Sequence, residues 1–102
     1  MENLLIFKAL SNENRQQILQ WLKDPEKNFD SEHISKEDSF KKGVCVKAVQ
    51  DKVGLSQSVT SNYLDLLHRS GLLEFKRIGR WSYYRRDEEI IQEFSEFIKK
   101  EL

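Results

Sequence analysis

One cysteine, one proline and one methionine are all that the 102 residues contain of each. The lone Cys45 excludes an intrachain disulfide and fits a reducing compartment, so a cytoplasmic protein is expected. No apolar run approaches the roughly 20 residues needed to span a bilayer, and no membrane partner is expected. The opening MENLLIFKAL carries an acidic residue and only a short apolar run, with no small-residue cleavage site, so it does not read as a secretory signal. Net charge is missing too: 17 basic and 17 acidic residues cancel. Two histidines far apart, with no acid–base pair on a shared motif, leave no basis for hydrolytic or transfer chemistry, and no enzyme is expected. The length suits one domain, residues 1–102. A domain of this size buries only about 65% of its unfolded surface and gains from oligomerising.

The charges that are present are segregated. From Arg69 to Arg86 six basic residues face Glu74 alone; from Asp87 to Leu102 six acidic residues face Lys99 and Lys100. A local positive field can steer a chain to phosphate whatever the total.

Apolar spacing predicts a short first helix through Leu4, Leu5, Ile6 and Leu10. A second helix, capped by Ser11, runs Asn12–Lys23 with Ile18, Leu19 and Leu22 inward. Pro25 stops it. Residues 24–43 are mostly polar, a connection long for a compact domain. They read as a loop insertion pinned by Phe29, Ile34 and Phe40, with disorder as the alternative. Val44, Val46, Val49 and Val53 form the stripe of a helix that ends at Gly54. Ser56 caps the next helix, which buries Thr60, Leu64 and Leu67 and closes at Gly71. Strands are expected near Leu72–Lys76 and Trp81–Arg85, with Gly79 in the turn between them. Asp87 caps a last helix striped by Ile90, Ile91, Phe94, Phe97, Ile98 and Leu102. The fold expected is mostly α, with five main helices and a two-stranded hairpin, in the order of a winged helix-turn-helix.

That order points to double-stranded DNA. Ser56, Gln57, Ser58, Val59, Ser61 and Asn62 are left on the outer face of the second helix of the motif. Small hydroxyls and amides suit a helix lying deep in a groove about 12 Å wide, and Val59 offers a methyl-sized contact to thymine. The helix N-terminus suits a phosphate. Lys76, Arg77 and Arg80 on the wing would follow neighbouring phosphates or enter the minor groove. Trp81, beside the tip, is read as packing, with sugar-phosphate contact as the alternative. A winged helix used only to bind protein is the competing reading, and the basic wing argues against it.

The stretches LSNENRQQILQWL, VCVKAVQDKVGLSQSVTSNYLDLLHRSGLL and RIGRWSYY resemble the ArsR/SmtB-type bacterial repressors. The resemblance covers most of the chain apart from 24–43. It implies a homodimeric repressor that binds an operator of approximate two-fold symmetry and is released by an effector. It also implies a dimer interface on the first and last helices, hence at Leu4, Leu5, Ile90, Ile91, Phe94, Phe97 and Ile98, with 87–102 as the dimerisation helix. Gln57, Ser58, Ser61 and Asn62 fall on the family's DNA-contacting positions. Val59-Thr60 reverses the family's usual order, which puts Thr60 where a buried valine is normal. Many relatives hold a metal through Cys-Val-Cys at the start of the support helix. Cys45-Val46-Lys47 stands here, and an ammonium is no ligand. The last helix has no histidine. No metal and no cofactor are expected, and the effector is unknown. A redox or metal role for Cys45 remains the alternative to a non-metal effector. His33, with Asp30 and Glu32, reads as solvated loop, and His68 as a packing or phosphate-side group.

Overall fold

The computed structural model describes residues 2–102. Helices α1 (Asn3–Leu10) and α2 (Glu13–Lys23) meet at a tight corner. Asn12, rather than Ser11, caps α2: its side chain accepts from Arg15 N at 3.0 Å. Ser11 is taken up closing α1, donating its backbone N–H and its hydroxyl to Lys8 O. Both residue types cap well, so position decides. Arg15 Nε and Gln16 Nε2 then donate to Ala9 O (2.8 Å) and Leu10 O (2.6 Å). The first turn of α2 thereby satisfies the last carbonyls of α1.

Pro25 opens a one-turn helix, α3 (Pro25–Asn28), at the position where its missing N–H costs nothing. Two 3₁₀ turns follow, Ser31–His33 and Asp38–Phe40. Phe40 is buried, and Phe29 and Ile34 pack half-buried on the core, so the three apolar residues of 24–43 do act as its anchors. A Cβ on Gly43 would fall 2.5 Å from the Phe40 ring, so the chain passes there only as glycine.

Val44 and Cys45, expected within a helix, form instead a two-residue strand, β1 (Val44–Cys45). Val44 is fully buried and its backbone pairs antiparallel opposite Tyr84, with Cys45 opposite Tyr83. A β-branched residue sandwiched in this way gains more from a ladder than from a helix start. The support helix α4 (Val46–Val53) therefore begins two residues later and buries Ala48 and Val49. Gly54 ends it at φ 75°, a left-handed setting that turns the chain into α5 (Gln57–Arg69). Strands β2 (Leu73–Ile78) and β3 (Trp81–Arg86) form the wing, in register from Leu73 opposite Arg86 to Ile78 opposite Trp81. The sheet order is β1-β3-β2, so the wing is three-stranded at its base. Helix α6 (Glu88–Glu101) starts at Asp87, whose carboxylate accepts from Ile90 N at 3.1 Å.

One core joins these parts: Ile6, Ile18, Val44, Val49, Leu64 and Leu67 are fully enclosed, with Leu72, Leu73 and Phe94 at its edge. Phe94 was expected at a dimer surface. It is only 6% exposed within its own chain, meeting Phe7 of α1 edge-on at 5.2 Å and Phe97 at 6.2 Å. The stripe on α6 is wide enough to face two ways, and Phe94 lies on the side that rests on α1. Arg86 ties α6 to the rest. Its guanidinium lies 2.9 Å from Glu88 Oε2, donates to Glu88 Oε1 at 3.1 Å, and reaches Leu19 O of α2 at 3.5 Å.

Thr60 is 1% exposed, and its hydroxyl has no hydrogen-bond partner among the described residues. An unpaired buried hydroxyl is destabilising, whereas an apolar group of the same shape is not. Thr60→Val is therefore expected to raise stability by about 1 kcal/mol, read as a higher urea midpoint at unchanged slope. A lower midpoint would contradict this account of the site.

Candidate nucleic-acid interface

Helix α5 presents its face through its cap and its periodicity. Ser56 Oγ accepts from Val59 N at 3.1 Å and fixes the first turn. Thr60, Leu64 and Leu67 point inward. Gln57, Ser58, Val59, Ser61 and Asn62 are all exposed, and with Ser56 they make up the mostly polar surface of the first turns of the helix. Val59 is the one apolar member, 37% exposed.

The basic residues of the second half sort into two groups. Arg69 is paired with Asp65 (2.8 Å), Arg85 with Glu74 (3.2 Å) and Arg86 with Glu88. Arg85 also lies over the Phe40 ring at 4.2 Å and donates to Lys41 O. Arg85 and Arg86 link separate parts of the fold, whereas the Arg69 pair is a surface contact within α5. Arg77 and Arg80 stand exposed at the hairpin tip with no carboxylate partner among the described residues; Arg77 Nε donates only to Gly79 O. Lys76 is half-buried and donates to Ser39 Oγ at 2.7 Å, so the insertion holds it on the other face of the hairpin. Only two of the three wing cations expected to meet phosphate are free to do so without rearrangement.

Between α5 and the wing lies a cleft of about 290 Å³ bordered by Ser61, Phe75, Trp81, Ser82 and Tyr84, with Cys45 and Lys47 on its inner side. Phe75 and Trp81 are 42% and 52% exposed. Phase along β2 puts Phe75 on the same face as Arg77, a signal in the sequence that pointed to this wall of the groove. Ser39 had no such signal, because its role depends on where the insertion folds. His68 packs against Phe75 and Tyr84, with ring centres 6.0 and 6.2 Å away. Burial, and then the nearby Asp65 carboxylate, raise the Tyr84 pKa above its ordinary value.

Cys45 is buried at the β1–α4 junction, and Lys47 pairs with Asp51 at 3.1 Å. The described residues hold one group of three metal-ligating side chains within 4.8 Å, Asp30, Glu32 and His33, in the insertion, and Cys45 is not a member of it. No helix among the described residues is long and apolar enough to cross a membrane.

A capped helix projecting from a glycine turn, flanked by a basic hairpin, defines a winged helix-turn-helix domain. Comparison with known proteins leads to the same class. The chain is 46% identical over 102 residues, the whole of both chains, to the "Uncharacterized HTH-type transcriptional regulator YbzH" of Bacillus subtilis. It is 30% identical over 82 residues to the Halobacterium salinarum protein named for arsenical resistance operon repression, ArsR2; the match takes in 80% of this chain and 56% of that longer one. Among solved structures, the homodimeric winged helix-turn-helix DNA-binding domain Mb0332 of Mycobacterium bovis matches with a TM-score of 0.64 at 27% identity, over 90% of this chain and 70% of that one. An ArsR-like regulator from Rhodococcus shares the fold, with a TM-score of 0.69 at 19% identity over 96% and 76% of the two chains. No family model matches the chain. The chain belongs to the ArsR/SmtB-type family of winged helix-turn-helix transcriptional regulators.

Two substitutions separate the roles of Ser56. Ser56→Ala removes the cap and is expected to lower stability by about 1 kcal/mol. Ser56→Asp keeps the cap and should hold stability near the wild-type value, while its carboxylate weakens binding to any duplex by repelling phosphate. Equal DNA affinity for Ser56→Asp and the parent chain would show that this helix end does not approach the duplex.

Proposed function

We propose that the chain is a dimeric, sequence-specific repressor that lays α5 in the major groove and the wing tip on flanking phosphates. The observation that carries this reading is the sorting of cations. Arg85 and Arg86 are paired within the fold and Arg69 is paired on the surface of α5, while Arg77 and Arg80 stand exposed at the hairpin tip with no carboxylate partner among the described residues. On this reading Gln57, Ser58, Ser61 and Asn62 read base edges, Val59 meets a thymine methyl, and Ser56 lies near a phosphate. Lys76 contributes less, because it must first leave Ser39.

Dimerisation is assigned to α1 and α6. Leu4, Phe7 and Ile98 are 61%, 40% and 39% exposed, and Leu5, Ile90, Ile91 and Phe97 are half-buried around them. An exposed apolar patch of this kind marks an association surface. The homodimeric state of the M. bovis domain supports a paired state, though not a particular seam. Phe94 belongs to the packing beneath this seam. Two copies related by a two-fold axis would place their α5 helices about 34 Å apart, one duplex turn, on an operator of matching symmetry. Release by an effector that is not a classical metal ion is part of the proposal.

Arg77→Ala and Arg80→Ala are each expected to weaken binding to all duplexes alike and to reduce the salt slope by about 0.9. Lys76→Ala should change it less. Gln57→Ala and Ser58→Ala should alter base preference in a selection from random fragments. Wing variants that bind with the parent's affinity and salt slope would refute the docking. Ile98→Glu should give a folded monomer by light scattering and circular dichroism, with operator affinity down more than about tenfold. A persistent dimer would move the seam elsewhere.

A further inference from the structure

The insertion 24–43 lines a second, open cleft of about 490 Å³, which shares no lining residue with the interface cleft. That volume is in the range of about 300–1,000 Å³ typical of small-molecule sites. Phe29 and Ile34 make it apolar, while Lys36, Lys41 and Lys42 stand on its rim against the single carboxylate of Glu26. Glu26 is paired with Lys42 at 3.4 Å and Lys41 with Asp38 at 3.5 Å, both on the surface; Lys36 has no carboxylate partner among the described residues. Ser35, 7% exposed, lines the same cleft. Its oxygen accepts from Glu37 N at 3.2 Å, which leaves its O–H to be donated. Apolar walls, a cationic rim and a buried hydroxyl donor together match an organic acid: one carboxylate on a compact aromatic or branched apolar body.

The cleft is wired to the DNA-binding parts. Ile34 bridges to Val44, Ser35 N donates to Gly43 O at 2.7 Å, and Lys42 N donates to Ser35 O at 3.1 Å. The wall of the cleft is thus an added edge of the β1-β3-β2 sheet, and β1 runs directly into α4. Phe29 lies under Lys52 of α4 at 5.8 Å. Ser39 holds Lys76 of the wing, and Lys41 O holds Arg85. We propose that this cleft binds a small apolar carboxylate and that its occupancy changes DNA affinity by shifting β1, and with it α4 and the wing. The binding half stands alone; the coupling half rests on the DNA-binding reading above.

Isotope-labelled full-length chain titrated with phenylacetate tests the first half by amide NMR. Saturable shifts are expected at Ile34, Ser35, Lys42 and Gly43. Acetate, without the apolar body, and phenylacetamide, without the charge, should each bind at least about fivefold more weakly. Lys36→Gln combined with Lys42→Asn should cost phenylacetate about fivefold with the rest of the spectrum unchanged. Asparagine is chosen because Lys42 has φ 69°, which asparagine tolerates. No saturable shift below about 20 mM, equal binding of the three probes, or shifts centred on the Cys45–Ser61 cleft would overturn the site. For the second half, a duplex selected from random fragments is bound with and without saturating phenylacetate. An affinity change of at least about fivefold, absent in the double variant, is expected. Phenylacetate bound in the cleft with DNA affinity unchanged would overturn the coupling. Failure to bind any duplex in either condition would remove the DNA reading and the coupling together, leaving the ligand site standing.

Discussion

The pairing of β1 with β3 is the contact on which the arrangement depends. Two residues, Val44 and Cys45, lie opposite Tyr84 and Tyr83. On one side they carry the insertion through Ile34 and Ser35. On the other they hand the chain to the support helix within one residue. Without this ladder the hairpin would be an isolated two-stranded ribbon, which is marginal in water. With it, the wing is the outer part of a sheet whose inner edge is buried under Val44 and whose back is covered by Ser39, Phe40 and Lys41.

A chain with no net charge presents a basic tip because its acids are placed where they neutralise structural cations. Glu74 and Glu88 each hold an arginine that the fold uses for packing or bridging, and Asp65 holds Arg69 on the surface of α5. What is left over is positional: Arg77 and Arg80 sit where β2 and β3 run out of partners. Surface pairs of this kind add little stability, so their main effect is on the shape of the local field.

Helix α5 and the wing were legible in the sequence because both rest on local chemistry. Ser56 caps, Gly54 and Gly79 turn, and apolar residues recur at fixed spacing; the observed helix Gln57–Arg69 and its buried Thr60, Leu64 and Leu67 follow from that. Three features were not legible. A two-residue strand has no period, so Val44 merged with the stripe of the helix behind it. Ser11 and Asn12 cap equally well in isolation, and only the length of α1 decides between them. The stripe on α6 has the right period but cannot say which neighbour covers which edge, and Phe7 claims Phe94. In the site itself, Lys76 looked like its neighbours until the insertion placed Ser39 against it.

Arg86 has a consequence at a larger scale. One planar fork grips the first turn of α6 and a carbonyl near the end of α2. With Phe94 seated on Phe7 it is one of the pins that hold the angle at which the last helix leaves the body. In a paired molecule built on that helix, this angle would govern the pitch of one reading head relative to its twin. Bending the pin would leave each head intact and simply aim the two out of phase with the turn of the duplex.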